Sequence, residues 1–270
     1  MKFGALAKVA AVLAIALPTA SYAHRAWLLP SATILSGDNL YVTVDAAISN
    51  DLFYFEHRPM RLENLVITAP DGSTVTPENV ATGKFRTTFD MALSKPGTYR
   101  IALTGDGLFG RYTLNGEKKR WRGKRDDVAK AIPAGAEDVR ITRSQRRIET
   151  FVTVGKPSDT LSKPSGTGLE LIPVTHPNDV VTGSEATFQF VLDGKPAANA
   201  KVQLIRGGSR YRDNLDELNI TTDQDGKVKF KPTVAGMYWI SASIEDNKVD
   251  IPNVKRRRAT YAATFEVLPE

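Results

Sequence analysis

The chain of 270 residues has no cysteine and only three histidines. Without thiols there is no disulfide, no thiolate metal site and no cysteine nucleophile, so each domain must be large enough to hold together by core burial. No segment supplies the roughly 20 consecutive apolar residues that a bilayer span needs. Also missing are a Gly-x-Ser-x-Gly elbow, a phosphate loop, a His-Glu-x-x-His pair and a dinucleotide fingerprint, which are common sequence signatures of catalysis. Carboxylates are plentiful but scattered. Asp51 and Glu56, flanking Phe53-Tyr54-Phe55, come nearest to a catalytic pair. The expectation is a protein that is not an enzyme, with copper oxidase or hydrolase chemistry as minor alternatives.

The first 23 residues have the organisation of a secretory signal peptide. Lys2 and Lys8 precede an apolar run over residues 9–17, Pro18 ends it, and Ser21 and Ala23 occupy the −3 and −1 positions that a signal peptidase reads. Cleavage after Ala23 would make His24 the first residue of an exported, soluble protein. Lys2 and Lys8 are two of the 36 basic residues, so 34 remain against 30 acidic ones, a charge of +4. The excess gathers at residues 118–125, 140–147 and 255–258. Such runs suit an anionic membrane surface or polyanion, or serve as solvated loops. Nucleic acid is not an expected partner, because no recognition motif accompanies the charge.

Most of the chain reads as strand. Residues 40–44 and 186–190 alternate large apolar with partly polar residues, and both runs are rich in β-branched and aromatic side chains. Near the end of each half the pattern Gly-x-Tyr-x-Ile recurs, at Gly97-Thr-Tyr-Arg-Ile101 and at Gly236-Met-Tyr-Trp-Ile240, an offset of 139 residues. The period of two puts each tyrosine on one face with the isoleucine, a placement that suits corner and core packing. These signals predict an all-β protein of two antiparallel β-sandwiches, residues 24–154 and 169–270. A Pro/Gly/Ser-rich linker over 155–168 joins them. Residues 105–147 are surplus to a minimal sandwich. They read as a basic surface excursion anchored by Trp121, with Asp126 capping a short helix.

The histidines carry the functional signal. If His24 becomes the first residue, its imidazole and freed α-amine offer two nitrogen donors on one residue, a set that copper(II), nickel(II) or cobalt(II) favours. His57, in Tyr54-Phe-Glu-His-Arg-Pro-Met60, and His176, in Pro173-Val-Thr-His-Pro177, are the available imidazoles, and Met60 offers a soft thioether or core packing. Trp27 is placed to pin the terminus by packing.

The start His24-Arg-Ala-Trp-Leu-Leu-Pro30, the Gly-x-Tyr-x-Ile strands and Leu169-Glu-Leu-Ile-Pro-Val-Thr-His-Pro177 resemble the DUF4198 family. Asp193-Gly-Lys-Pro196 and Thr222-Asp-Gln-Asp-Gly226 extend the resemblance over essentially the whole mature chain. It implies an exported bacterial protein, grouped with periplasmic components of cobalt and nickel uptake, whose second domain is transthyretin-like or Ig-like. His24 and His176 match the family pattern, whereas His57 is added on chemical grounds. The expected function is binding of nickel, cobalt or copper for a membrane metal transporter or other envelope protein. The alternative is a β-sandwich module that binds an envelope partner or carbohydrate, through the basic segment around Trp121, without metal.

Overall fold

A computed structural model describes residues 24–124 and 127–270; the expected signal peptide and the Asp126 cap lie outside the described residues. The fold is all-β, two sandwiches of mostly antiparallel strands. In the first half, β1 (Arg25–Pro30), β2 (Ile34–Leu35), β3 (Leu40–Ser49), β4 (Arg58–Pro59) and β5 (Leu65–Thr68) come in succession. They are followed by β6 (Thr74–Val75), β7 (Glu78–Thr82), β8 (Arg86–Leu93), β9 (Gly97–Leu114), β10 (Glu117–Gly123) and β11 (Glu137–Val154). A four-residue helix, α1 (Val128–Ala131), separates the last two. The second half contains β12 (Leu169–Pro173), β13 (Val180–Val181), β14 (Ala186–Leu192), β15 (Lys195–Pro196) and β16 (Lys201–Arg206). It ends with β17 (Leu218–Thr221), β18 (Lys227–Phe230), β19 (Gly236–Asp246) and β20 (Arg256–Leu268).

Alternation in the sequence becomes alternation in burial. Phe89, Met91 and Leu93 of β8 point into the first core, while Phe188 and Phe190 of β14 point into the second. The repeated tyrosines are tyrosine corners. Tyr99 accepts from the Lys95 amide at 2.7 Å, and Tyr238 donates to the Val234 carbonyl at 2.8 Å, each reaching back four residues. Gly97 and Gly236 precede them at φ 117° and 130°, in the region that side chains avoid.

The two halves are not separate bodies on a tether. In the second half β19 and β20 pair antiparallel, and β20 then runs parallel to β11 from Thr142↔Arg256 to Thr150↔Thr264. One sheet of eleven strands therefore passes through both halves. The sheet of β1, β3, β4, β7 and β8 covers it at one end, and the sheet of β12, β14, β15 and β18 covers it at the other. The connection over 155–168 departs from a loose linker because Leu161 is buried in the second core and its carbonyl accepts from Arg100 at 2.9 Å.

The surplus over residues 105–147 also differs from a loop excursion. Strands β9 and β11, each 18 residues long, simply continue beyond the sandwich, and β10 joins β9 along the outer edge. Asn115 and Gly116, at φ 50° and 77°, make the two-residue hairpin between β9 and β10. Trp121 does anchor this arm, packing with Val128 and Ile132 against a small core of Leu108, Ile141, Ile251 and Val254.

Where β11 meets the second sandwich, buried charges face one another. Glu149 lies 3.2 Å from Arg147 and accepts from the Tyr261 hydroxyl at 2.8 Å, while Arg147 also reaches Glu170 at 3.2 Å. The amides of Ser165 and Gly166 complete Glu170, both at 2.9 Å. Burial, and then the Glu149 carboxylate beside it, push the Tyr261 phenol well above its ordinary range. Removing the cation would leave Glu149 with the more distant Arg100 guanidinium, at 3.9 Å, and Glu170 with amide donors alone, so Arg147→Met is expected to cost about 3 kcal/mol in urea unfolding. A loss below about 1 kcal/mol would show that this network does not hold the halves together.

Candidate metal centre

His24 and His57 come together. Their rings stack with centroids 3.9 Å apart and planes 23° from parallel, and both side chains are exposed. The positions follow from sheet pairing: Arg25 of β1 pairs with Ser49 on one side of β3, while Arg58 of β4 pairs with Ile48 on its other side. The two histidines precede those strands and bracket the end of β3.

Trp27 fixes this corner. It is fully buried, donates its indole N–H to Ser49 Oγ at 2.9 Å, and packs Phe53 and Phe55 against its ring at 5.5 and 5.6 Å. Glu56 caps the same loop, accepting from the Asn50 and Asp51 amides at 2.8 and 2.9 Å. The Glu56 carboxylate is thus engaged as a loop cap. Trp239 ties the strand to the second half by donating to the Ala26 carbonyl at 3.0 Å.

His176 stands elsewhere. Its Nδ1 accepts from the Asn178 amide at 3.1 Å, so in the neutral ring Nε2 carries the proton and donates to Thr98 Oγ1 at 3.0 Å. The chain of donors continues from Thr98 to Thr153 Oγ1 and on to Asn178 Oδ1. Asn178 Nδ2 then donates to the Thr33 carbonyl. Thr33 lies past the far end of β1 from His24, and six extended residues alone span about 20 Å. His176 therefore does not join the terminal pair, and both of its ring nitrogens are engaged. Met60 is likewise withdrawn, buried in the first core. The Trp121 ring is half-buried beside Gly110 and Gly123.

Among the described residues no group of three or more His, Cys, Asp or Glu side chains gathers as a metal site. Two imidazoles make an incomplete set for an ion. Cleavage after Ala23 would add the α-amine as a third nitrogen, on a residue already in place. Imidazole lone pairs lie in the ring planes, so from a stack with centroids 3.9 Å apart the two exposed rings must turn for both to bind one ion. Sequence reasoning found both residues but not that they meet, because the contact depends on which sides of β3 the two short strands occupy.

Beside His24 a cleft of about 320 Å³ runs over the sheet, lined by Arg146, Arg258, Gln203, Ser241 and Thr260. No helix among the described residues is long and apolar enough to cross a membrane.

The model of a family described as a domain of unknown function, DUF4198, matches residues 21–246. No curated protein matches the chain. Among solved structures, the D0-D1 domain of Intimin is 12% identical, with 89% of this chain and 97% of that one covered and a TM-score of 0.22. Escherichia coli alpha-2-macroglobulin activated by porcine elastase is 12% identical, covering 91% of this chain and 31% of that one, at a TM-score of 0.20. A marsupial T cell receptor is 9% identical, with coverages of 91% and 74% and a TM-score of 0.21.

Burial holds the His176 imidazole below its ordinary pKa. The unfolded chain then binds the proton more readily than the folded one, so stability is full above about pH 6.5 and declines as pH falls toward the lowered folded value. The melting temperature should drop over that interval, and His176→Gln should flatten this part of the profile. An unaltered slope in the variant would remove His176 as its source.

Proposed function

The chain belongs to the DUF4198 family, and on that premise we propose that it is an exported, periplasmic protein that binds a divalent nickel, cobalt or copper ion at its processed N-terminus. The α-amine and imidazole of His24 and the imidazole of His57 are the donors. The ion is cargo, to be buffered or passed to a membrane transporter, and no redox or hydrolytic step is involved. The observation that carries this reading is the stacking of the two rings at 3.9 Å on a corner held by Trp27. An exposed histidine pair without a ligand gains little, whereas a nitrogen-rich set is what these late transition metals select.

The chain's own contribution is positional. Trp27 and the Glu56-capped loop order both histidines before an ion arrives, which lowers the ordering cost of binding. His176 plays a structural part in this scheme.

The test is titration of protein beginning at His24 with each of the three ions, beside protein that keeps one further residue at its N-terminus. The extension converts the amine to an amide and is expected to weaken binding by about a hundredfold, and His57→Ala by about tenfold or more. His176→Gln should leave affinity within about twofold. Equal affinities for the processed and extended proteins would refute the terminal site.

A further inference from the structure

Beyond β1 and the first core, the arm end of the long sheet has a face that neither covering sheet reaches. Register partners share a face, and in the arm Arg120 of β10 lies opposite Arg111 of β9, which lies opposite Arg140 of β11. Two residues along, Arg122, Phe109, Thr142 and Arg256 form the next row across four strands. Further rows put Arg258 beside Ser144, and Arg146 beside Thr260. All of these arginines are exposed. The opposite face of the same strands is where Trp121, Leu108 and Ile141 pack, and where Arg143 and Arg257 meet Asp106 and Asp246.

The acidic partners thus sit on the packed face. On the bare face Glu245 is shared by Arg256 at 3.0 Å and Arg258 at 4.0 Å. Arg111, Arg120 and Arg140 form no ion pair among the described residues, and the guanidinium groups of Arg111 and Arg122 lie 5.3 and 5.6 Å from the Phe109 ring. Like charges directly opposite on neighbouring strands destabilise a sheet. Three in one row would be relieved by a counter-charge outside the protein. The spacing defines its shape, with about 4.8 Å between strands and about 7 Å between same-face residues along them. Such a two-dimensional lattice complements a plane of phosphates, whereas a single polymer chain would cover only one line of it.

We propose that this face docks the protein flat on a bilayer surface through anionic phospholipid headgroups. The cleft beside His24 shares Arg146, Arg258 and Thr260 with the face, so docking sets the terminal histidines next to the membrane. The docking does not depend on a metal.

The experiment is co-sedimentation of protein beginning at His24, freed of metal by chelation, with phosphatidylcholine vesicles with or without about 30% phosphatidylglycerol. Binding is expected to the anionic vesicles alone, and to be lost between about 0.05 and 0.5 M salt. The combined Arg111→Gln, Arg120→Gln, Arg140→Gln variant should partition about a hundredfold more weakly, at roughly fivefold per charge, with an unchanged or raised melting temperature. Lys156→Gln, Lys163→Gln, Lys195→Gln removes the same net charge elsewhere and should have little effect. If the triple arginine variant fails to fold, Arg120→Gln alone should show the fivefold loss. Equal weakening by both triple variants, absence of binding to anionic vesicles, or capture by soluble heparin with vesicles ignored would each overturn the proposal. Loss of metal affinity by N-terminal extension leaves this measurement unmoved, so the two readings fail separately.

Discussion

Everything in the molecule is referred to the parallel pairing of β11 with β20. Parallel strands that belong to different halves have no hairpin to hold them, so the energy must come from the ladder itself and from what packs across it. Across the seam the chain has placed Arg147, Glu149, Glu170 and the Tyr261 hydroxyl, all largely withdrawn from water. Buried carboxylates are costly unless each oxygen has a partner. Here the oxygens are met by guanidinium, phenol and amide donors at 2.8–3.2 Å. A slip in strand register would strand these charges, so the network specifies the seam at least as much as it strengthens it.

The sequence made much of this architecture legible and hid the seam. Strand periodicity, the 139-residue recurrence of Gly-x-Tyr-x-Ile and the turn glycines all arise from local constraints, so they can be read locally. The tyrosine corners followed because the same three residues solve the same corner twice. The pairing of residues 142–150 with 256–264 could not be read, since a parallel contact between distant strands leaves no periodic trace in either. The strands within the surface excursion over 105–147 were hidden for a different reason. Gly105, Gly107 and Gly110 break the strand pattern, yet Gly110 and Gly123 are where the Trp121 ring packs closely, and Asn115-Gly116 was a legible hairpin signal passed over.

For the candidate site, the residue types were legible and their geometry was not. His24 drew attention through its place in the chain, and His57 through its chemistry alone. Their stacking depends on β1 and β4 lying on opposite sides of β3. His176 looked equivalent in sequence because its neighbours, Thr175 and Pro177, say nothing of the Thr98 and Thr153 hydroxyls that come from the other half of the chain. The basic clusters gave the converse lesson. As runs of letters they suited either an anionic surface or solvated loops, but alternation divides each run between the packed face, with Asp106 and Asp246, and an outer face on which Glu245 pairs with Arg256 and Arg258.

The fused sheet also sets what a part of this protein can be. Cutting the chain in the 155–168 segment would not release two stable domains, because β11 and β20 would each be left with an open row of amides and carbonyls along nine residues. Such an edge invites pairing with another copy. Proteolytic nicking at this segment should therefore leave two pieces that remain associated, and either half made alone would be a seed for aggregation.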